Sequence, residues 1–195
     1  MTDGKINIER YTDEISKLMM SINFETIKVA ASNIRQRMEA GGQIFFAGNG
    51  GSLAISHHAA CDMGKGLYRF YKEKLRVRSL GVNAALTSAL ANDFGYENIF
   101  SAEYQMVRSN SIVNSNSNDV VICISSSGNS DNILNLATTA KDDGTMVIGL
   151  SGFSGGKLKD NCDISVHVSA ENYLMIELAH QHILDLIFLE LWVNE

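Results

Sequence analysis

The chain has 195 residues, of which 45% are hydrophobic and 19% are charged, and its formal net charge at pH 7 is −6. This length and hydrophobic content are typical of one globular domain with a full core, which excludes wholesale disorder. Because the basic residues are few and scattered, the composition also argues against a nucleic-acid-binding protein.

Two amphipathic helices are predicted before the first strand. Apolar residues recur at helical spacing over residues 8–22 and again from Ile27 to Met38, and Gly41 and Gly42 end the second helix. We expect residues 1–41 to form a helical hairpin that packs on a sheet or on a second subunit.

From residue 42 onward, short apolar strands alternate with helices. Strands are predicted at residues 43–47, 77–82, 119–124, 145–150 and 163–168. Helices are predicted at residues 52–64, 84–91, 97–109, 132–141 and 172–192, with a loop at 110–118. This alternation predicts an α/β fold, a three-layer sandwich whose central parallel sheet is covered by helices on both faces. No linker divides the chain, so we expect a single domain over residues 1–195, with the α/β core at 42–195.

Two of the predicted strands end in loops rich in glycine and serine. The segment GNGGS at 48–52 follows the first strand, and SSSGNS at 125–130 follows the third. Both expose backbone N–H groups and hydroxyls beside a helix N-terminus, at the carboxyl ends of strands, where open α/β sheets bind anionic ligands. Each loop alone is equally compatible with an ordinary capped turn, but the two together indicate a binding site.

Neither loop has the features of a nucleotide-binding motif. GNGGS is not the GxGxxG pattern of dinucleotide sites, and the GK[ST] of a Walker loop is absent from the sequence. Serines without a lysine favour a phosphosugar held by neutral donors. We therefore expect no nucleotide cofactor.

We also expect a cytoplasmic protein without a membrane partner. No apolar run approaches the roughly 20 residues of a membrane-spanning helix, and the polar N-terminus does not resemble a signal peptide. The three cysteines show no CxxC spacing, which is typical of small core residues in a reducing compartment.

The order of the motifs resembles the sugar isomerase (SIS) domain family. GNGGS followed by His58 and Asp62, then Asn92-Asp93-Phe94-Gly95, then SSSGNS are together typical of this family. Within this family, the chain resembles the phosphoheptose isomerases over nearly its whole length. The resemblance implies a flavodoxin-like sheet topology with extra N-terminal helices. It also implies an aldose–ketose isomerase that converts sedoheptulose 7-phosphate into glycero-manno-heptose 7-phosphate for surface polysaccharide.

The resemblance also implies a substrate site. The serine loop would bind the phosphate of the sugar, whereas the glycine-rich turn and the Asn92-Asp93 pair would face the rest of the sugar. The implied substrate ligands are Asn49, Gly50, Gly51, Ser52, Asn92, Asp93, Ser125, Ser126, Ser127, Ser130 and Glu177.

A metal site and a base are implied by the same resemblance. The family places a metal ligand and a base on the helix after GNGGS, and His58 and Asp62 hold these positions here. Their spacing of four residues puts both on one helix face, although Asp62 is one methylene shorter than the family's glutamate. With Glu177 and Asp185 they would bind a divalent cation such as zinc, and Asp62 would be the base.

The last predicted helix allows two alignments with the family. In the first, Glu177 takes the position of the family's Gln/Glu, His180 follows, and Asp185 replaces the catalytic histidine. A shift of three residues makes His182 that histidine but puts Leu174 at the glutamine position. Across the two alignments, the group that moves the proton at the substrate oxygen would be His182, His180 or a metal-bound water held partly by Asp185. Both histidines are equally compatible with a place in the core or at a subunit contact.

Asp62 and Asp185 differ from the residues that the family has at these two positions, which leaves a second function open. Some family members have lost the catalytic histidine and act by binding sugars or partner proteins, so the chain could be such a module, or an isomerase of a related phosphosugar. The family forms homotetramers whose active sites are shared between subunits. The amphipathic first helix and the apolar last helix offer surface for such association.

Overall fold

The computed structural model describes residues 7–72, 75–108 and 117–193. Within them, the strands are β1 (Ile44–Gly48), β2 (Val77–Ser79), β3 (Val120–Ser125), β4 (Met146–Ser151) and β5 (Ile164–His167). The helices are α1 (Ile8–Met20), α2 (Phe24–Glu39), α3 (Gly51–Tyr71), α4 (Ala84–Phe94), α5 (Ile99–Val107), α6 (Asp131–Asp142) and α7 (Tyr173–Val193). None of the helices in these ranges is long and apolar enough to cross a membrane.

The five strands form one parallel sheet in the order β2-β1-β3-β4-β5. This is the flavodoxin-like order, which confirms the predicted topology. The chain turns to one side of the sheet after β1 and to the other side after β3, and ligands of such sheets bind in the crevice between these two strand ends. Gly48 pairs with Ile124 in the register, so GNGGS and the serine loop begin side by side.

The sheet is buried on both faces because successive strand residues point in opposite directions. Ile44 and Phe46 pack with α1, α2, α3 and α7, whereas Phe45 and Ala47 pack with α4, α5 and α6. Every residue of β1 is buried, which explains why this strand reads as a continuous apolar run. The three layers predicted from the sequence are therefore present.

Three predicted boundaries differ from the structure. Helix α3 continues past residue 64 to Tyr71, because Gly66 lies under the ring of Phe188 and the close packing on α7 outweighs the weak helix propensity of glycine. Strand β2 ends at Ser79 instead of residue 82, because Gly81 turns the chain at a φ of +79°. The helix predicted at 97–109 begins as a 3₁₀ turn at Tyr96–Asn98, and residues 110–116 of the predicted loop lie outside the described residues.

Helices α1 and α2 share the core on one face of the sheet. Leu18 of α1 and Ile34 of α2 belong to the same buried cluster as Ile183 of α7. Each helix begins at an asparagine, Asn7 or Asn23, whose side-chain oxygen accepts hydrogen bonds from the first turn. The hairpin therefore covers α7 and supports the helix that carries Glu177.

Candidate functional site

A cavity of about 140 Å³ lies at the carboxyl ends of β1 and β3. Its position matches the crevice that the sheet order predicts for a ligand. The serine loop, the tip of β1 and the first turns of α7 line it, through Asn49, Ser52, Ile124, Ser125, Ser126, Ser127, Ser130, Tyr173 and Glu177. The structure thus brings together all four serines predicted to bind phosphate, and adds Asn49, Ser52 and Glu177 from the predicted substrate set.

The serine loop turns back on itself before α6 begins. The Gly128 N–H donates to the Ser125 carbonyl oxygen at 2.9 Å, and the Ser125 hydroxyl donates to the Ser130 hydroxyl at 3.3 Å. The side chain of Ser130 makes no capping bond to α6, and the buried Ser126 hydroxyl has no partner among the described residues. Unused donors beside a helix N-terminus suit an anionic group such as phosphate.

Glu177 reaches the cavity because Gly51 has no side chain. A Cβ atom at position 51 would lie 2.3 Å from the Glu177 Oε2 atom, well inside van der Waals contact. Gly51 is the first residue of α3, so the carboxylate lies beside a helix N-terminus, where negative charge is favoured. Gly51 is thus part of the site through the space it leaves for Glu177.

Tyr173 is a lining residue that the sequence analysis missed. It lies four residues before Glu177 on α7, and its ring packs edge-on against Phe153 with 4.9 Å between the ring centroids. The spacing of four places Tyr173 and Glu177 on one face of the helix. This spacing is the sequence feature from which Tyr173 could have been predicted as a lining residue.

Asn49 is held by two residues that the sequence analysis also missed. The Asn49 Nδ2 atom donates to Asn132 Oδ1 at 2.8 Å, and Asn132 Nδ2 donates back to Asn49 Oδ1 at 2.9 Å. The Tyr96 hydroxyl donates to the same Asn49 Oδ1 atom at 2.9 Å. No local sequence pattern predicts these contacts, because they join residues that are distant in the chain. They connect the tip of β1 to the first turn of α6 and to the turn after α4.

The other predicted substrate ligands do not line the cavity of the chain. Asn92 and Asp93 are exposed on the last turn of α4, where Asn92 Nδ2 donates to Asp93 Oδ1 at 2.9 Å. Gly50 is an exposed residue at the N-cap of α3 with a φ of +56°. Their contact with a substrate stays a prediction.

His58 and Asp62 form an exposed pair on α3. His58 Nε2 lies 3.1 Å from Asp62 Oδ2, and the two side chains are 57% and 46% exposed. The predicted helix face is therefore shared by both residues. Neither of them lines the cavity of its own chain, so Asp62 is not placed there as a base.

The four predicted zinc ligands are not assembled within one chain. Asp185 lies in a separate groove between α1 and α7, where Gln181 Nε2 donates to Asp185 Oδ1 at 2.7 Å. Eight residues of helix separate it from Glu177, which corresponds to about 12 Å along the axis. Across residues 7–72, 75–108 and 117–193, no three His, Cys, Asp or Glu side chains lie close enough to hold a metal ion. Within one copy of the chain, the described residues therefore do not assemble a zinc site.

The two candidate proton shuttles lie elsewhere in the chain. His180 is fully buried, and its burial lowers the pKa to about 4, with a smaller lowering from His167 and an opposing effect of the Ser151 backbone. His180 is buried and does not line the cavity, so its role as a proton shuttle stays a prediction. His182 lines the groove between α1 and α7 with Asp185.

Comparisons with known proteins agree with this architecture. The family model described as "SIS domain" matches residues 10–152. A phosphoheptose isomerase of Rhodospirillum rubrum is 33% identical over 79% of this chain and 78% of its own length. A phosphoheptose isomerase of Helicobacter pylori (strain Shi470) is 32% identical over 92% of this chain and 90% of its own length.

A solved structure resembles the whole fold. Phosphoheptose isomerase GmhA from Neisseria gonorrhoeae superposes with a TM-score of 0.80 at 26% identity, covering 93% of this chain and 94% of that one. The cavity also lies where the two motif loops typical of the family meet. Since the family model spans well over half of the sequence and these relatives match most of its length, the chain belongs to the SIS domain family.

Proposed function

We propose that this protein is a phosphosugar aldose–ketose isomerase that converts sedoheptulose 7-phosphate into glycero-manno-heptose 7-phosphate for surface polysaccharide. The observation that carries the proposal is the cavity between β1 and β3, lined by the serine loop and by the carboxylate of Glu177. The curated relatives of this chain, which bear the name phosphoheptose isomerase, support the choice of reaction and substrate.

The phosphate of the substrate binds at the serine loop. The Ser126 hydroxyl is buried without a partner among the described residues, and a buried hydroxyl of this kind gains free energy when a ligand supplies its hydrogen bond. The N-terminus of α6 adds the positive end of the helix dipole. Glu177, opposite the loop, accepts hydrogen bonds from the sugar hydroxyls.

Isomerisation moves a proton between two adjacent carbons through an enediol. A base removes the carbon-bound proton, and a donor stabilises the oxygen that becomes negative. Asp62 as the base stays a prediction. Because this side chain lies outside the cavity of its own chain, the role requires that the exposed His58–Asp62 pair enters the cavity of a neighbouring copy.

Zinc, association and location also stay proposals. We assign no step to zinc, because a single chain does not gather three ligands in its described residues. A homotetramer is supported by exposed apolar residues on α7, namely Leu174, Leu178, Leu189 and Val193. A cytoplasmic location is supported by the free state of Cys61, Cys123 and Cys162, which is usual in a reducing compartment.

The test is a coupled isomerase assay on sedoheptulose 7-phosphate with the purified full chain, with and without added zinc. We expect turnover by the wild-type protein. Ser126→Ala should raise KM about tenfold or more, because a hydrogen bond to a charged group is lost. Ser154→Ala, at an exposed serine outside the cavity lining, is the matched control and should leave KM unchanged.

Thermal shifts separate the alternatives. If the phosphosugar raises the melting temperature but is not turned over, the protein is a binding module or acts on a different sugar. If it causes no shift, the assignment of the serine loop to this phosphosugar is wrong. Asp62→Ala should abolish turnover and keep the thermal shift, whereas undiminished turnover would refute Asp62 as the base.

A further inference from the structure

The hydrogen bonds around Asn49 leave one part of its amide group unused. An amide oxygen has two lone pairs, and in Asn49 these accept from Asn132 Nδ2 and from the Tyr96 hydroxyl. The amide nitrogen carries two protons, and one of them is donated to Asn132 Oδ1. Among the described residues, the second N–H has no acceptor. Asn49 lines the cavity, so it can offer a ligand a donor but no acceptor.

The residues that fix this orientation come from two distant parts of the chain. Asn132 is 2% exposed on the first turn of α6, directly after the serine loop. Tyr96 follows Gly95, whose φ of +85° turns the chain at the end of α4. The paired amides cannot rotate without breaking both of their mutual hydrogen bonds. The amide of Asn49 is therefore held in one orientation before a substrate arrives.

We propose that Asn132 and Tyr96 are positioning residues that hold Asn49 as a hydrogen-bond donor to the substrate oxygen that becomes negative during isomerisation. This inference rests on the proposed isomerase function. The base takes the carbon-bound proton, the electron pair of the broken C–H bond forms the new C=C bond, and the π electrons of the C=O bond move to the carbonyl oxygen, which becomes negative. The Asn49 N–H stabilises that oxygen and keeps its own proton. A donor oriented in advance needs no reorganisation during the reaction, which is the main source of such stabilisation.

The experiment measures kcat and KM for sedoheptulose 7-phosphate in the full chain and its variants. Asn49→Ala removes the donor and should lower kcat about 100-fold or more. Asn132→Ala releases the amide and should lower kcat roughly tenfold to 100-fold. Tyr96→Phe removes one hydrogen bond and should lower kcat about two- to tenfold. KM should change less than kcat, because the hydrogen bond is stronger to the negative oxygen than to the neutral carbonyl of the bound substrate.

Tyr68→Phe is the matched control for the tyrosine variant. Tyr68 is 60% exposed on α3 and Tyr96 is 59% exposed, so both substitutions remove an exposed phenolic hydroxyl. The control should keep the wild-type kcat. An equal loss in the two variants would refute the role of Tyr96.

A double-mutant cycle separates positioning from a general structural effect. If Asn132 and Tyr96 act through Asn49, then Asn132→Ala and Tyr96→Phe cause no further loss of kcat in the Asn49→Ala protein. Losses of kcat that multiply, or a change in KM alone, overturn the inference.

If the Asn132→Ala protein does not fold, the double-mutant cycle is measured with Tyr96→Phe and Asn49→Ala, because Tyr96→Phe alters an exposed side chain. An inactive wild-type protein refutes the isomerase proposal and this inference together, whereas an active protein with multiplying losses refutes the inference alone.

Discussion

At the scale of single residues, Gly51 and Glu177 show how one missing side chain shapes the cavity. The carboxylate of Glu177 occupies the space that a Cβ atom of residue 51 would need. Gly51 does not have a positive φ, so an alanine there meets no backbone strain. The third glycine of GNGGS, Gly51, is thus explained by contact with α7 and not by the turn itself.

Gly51→Ala should lower activity without lowering stability. The new methyl group pushes the Glu177 carboxylate out of its position, and a displacement near 1 Å costs about 100-fold in rate. The free energy of unfolding should stay within about 1 kcal/mol of the wild type, since alanine is a better helix former than glycine. The measurements are kcat/KM and urea-induced unfolding.

Gly64→Ala is the control for this substitution. Gly64 lies on the same helix, with no atom within 4 Å of an added Cβ, so the variant should keep its activity. Unchanged kcat/KM in Gly51→Ala would show that the position of the Glu177 carboxylate does not matter for the reaction.

At the scale of the elements, the serine loop takes its shape from the connection between β4 and β5. The Gly152 N–H donates to the Ser126 carbonyl oxygen at 2.8 Å, and the Leu158 N–H donates to the Gly128 carbonyl oxygen at 2.9 Å. The Lys157 N–H donates to Asn129 Oδ1 at 3.1 Å. The loop that follows β3 is therefore held by a segment that follows β4, and its geometry depends on both.

Gly128→Ala should destabilise the protein and weaken phosphosugar binding. A Cβ atom at residue 128, whose φ is +65°, would lie 1.9 Å from the Gly155 carbonyl oxygen. Gly50 also has a positive φ but has no atom within 4 Å of an added Cβ, so Gly50→Ala reports backbone strain alone. We expect Gly128→Ala to cost about 2 kcal/mol more than Gly50→Ala, because it adds overpacking. Urea unfolding measures both losses, and equal values would contradict the packing argument.

At the scale of the whole molecule, the parallel sheet assembles the cavity, and α7 contributes to both the cavity and the surface. Glu177 faces the cavity on one side of α7, while Leu178 is 47% exposed on another. The His58–Asp62 pair is also exposed. Association of copies through these surfaces would cover the apolar residues and supply the pair to a neighbouring cavity, as the proposed function requires.

Association should be lost when a charge is placed on α7. Light scattering of the wild-type protein should give four times the chain mass, and Leu178→Lys should give a smaller mass, because burying an unpaired lysine at an interface is costly. Met106→Lys changes an exposed apolar residue on α5 and should keep the wild-type mass. A monomeric wild-type protein, or an unchanged mass in Leu178→Lys, would contradict the proposed tetramer.

Much of the fold and the serine-lined part of the cavity could be predicted from the sequence. Strand β3 (Val120–Ser125) is a short apolar run followed by a serine loop and a helix, and such patterns depend on neighbours in the chain. Once the strands are parallel, their carboxyl ends share one edge, so the loops at 48–52 and 125–130 must meet. The sequence by itself therefore determined the fold class and the place of the serines.

The tertiary structure decided the rest of the site. Asn132 and Tyr96 hold Asn49 because α6 and the turn after α4 meet the tip of β1. The spacing of residues along the sequence does not predict that contact. His180 is in the core and Asp185 is in the groove beside α1, although both have the spacing of site residues. The physical reason is that a helical repeat fixes which residues share a face, whereas packing against other elements decides what each face meets.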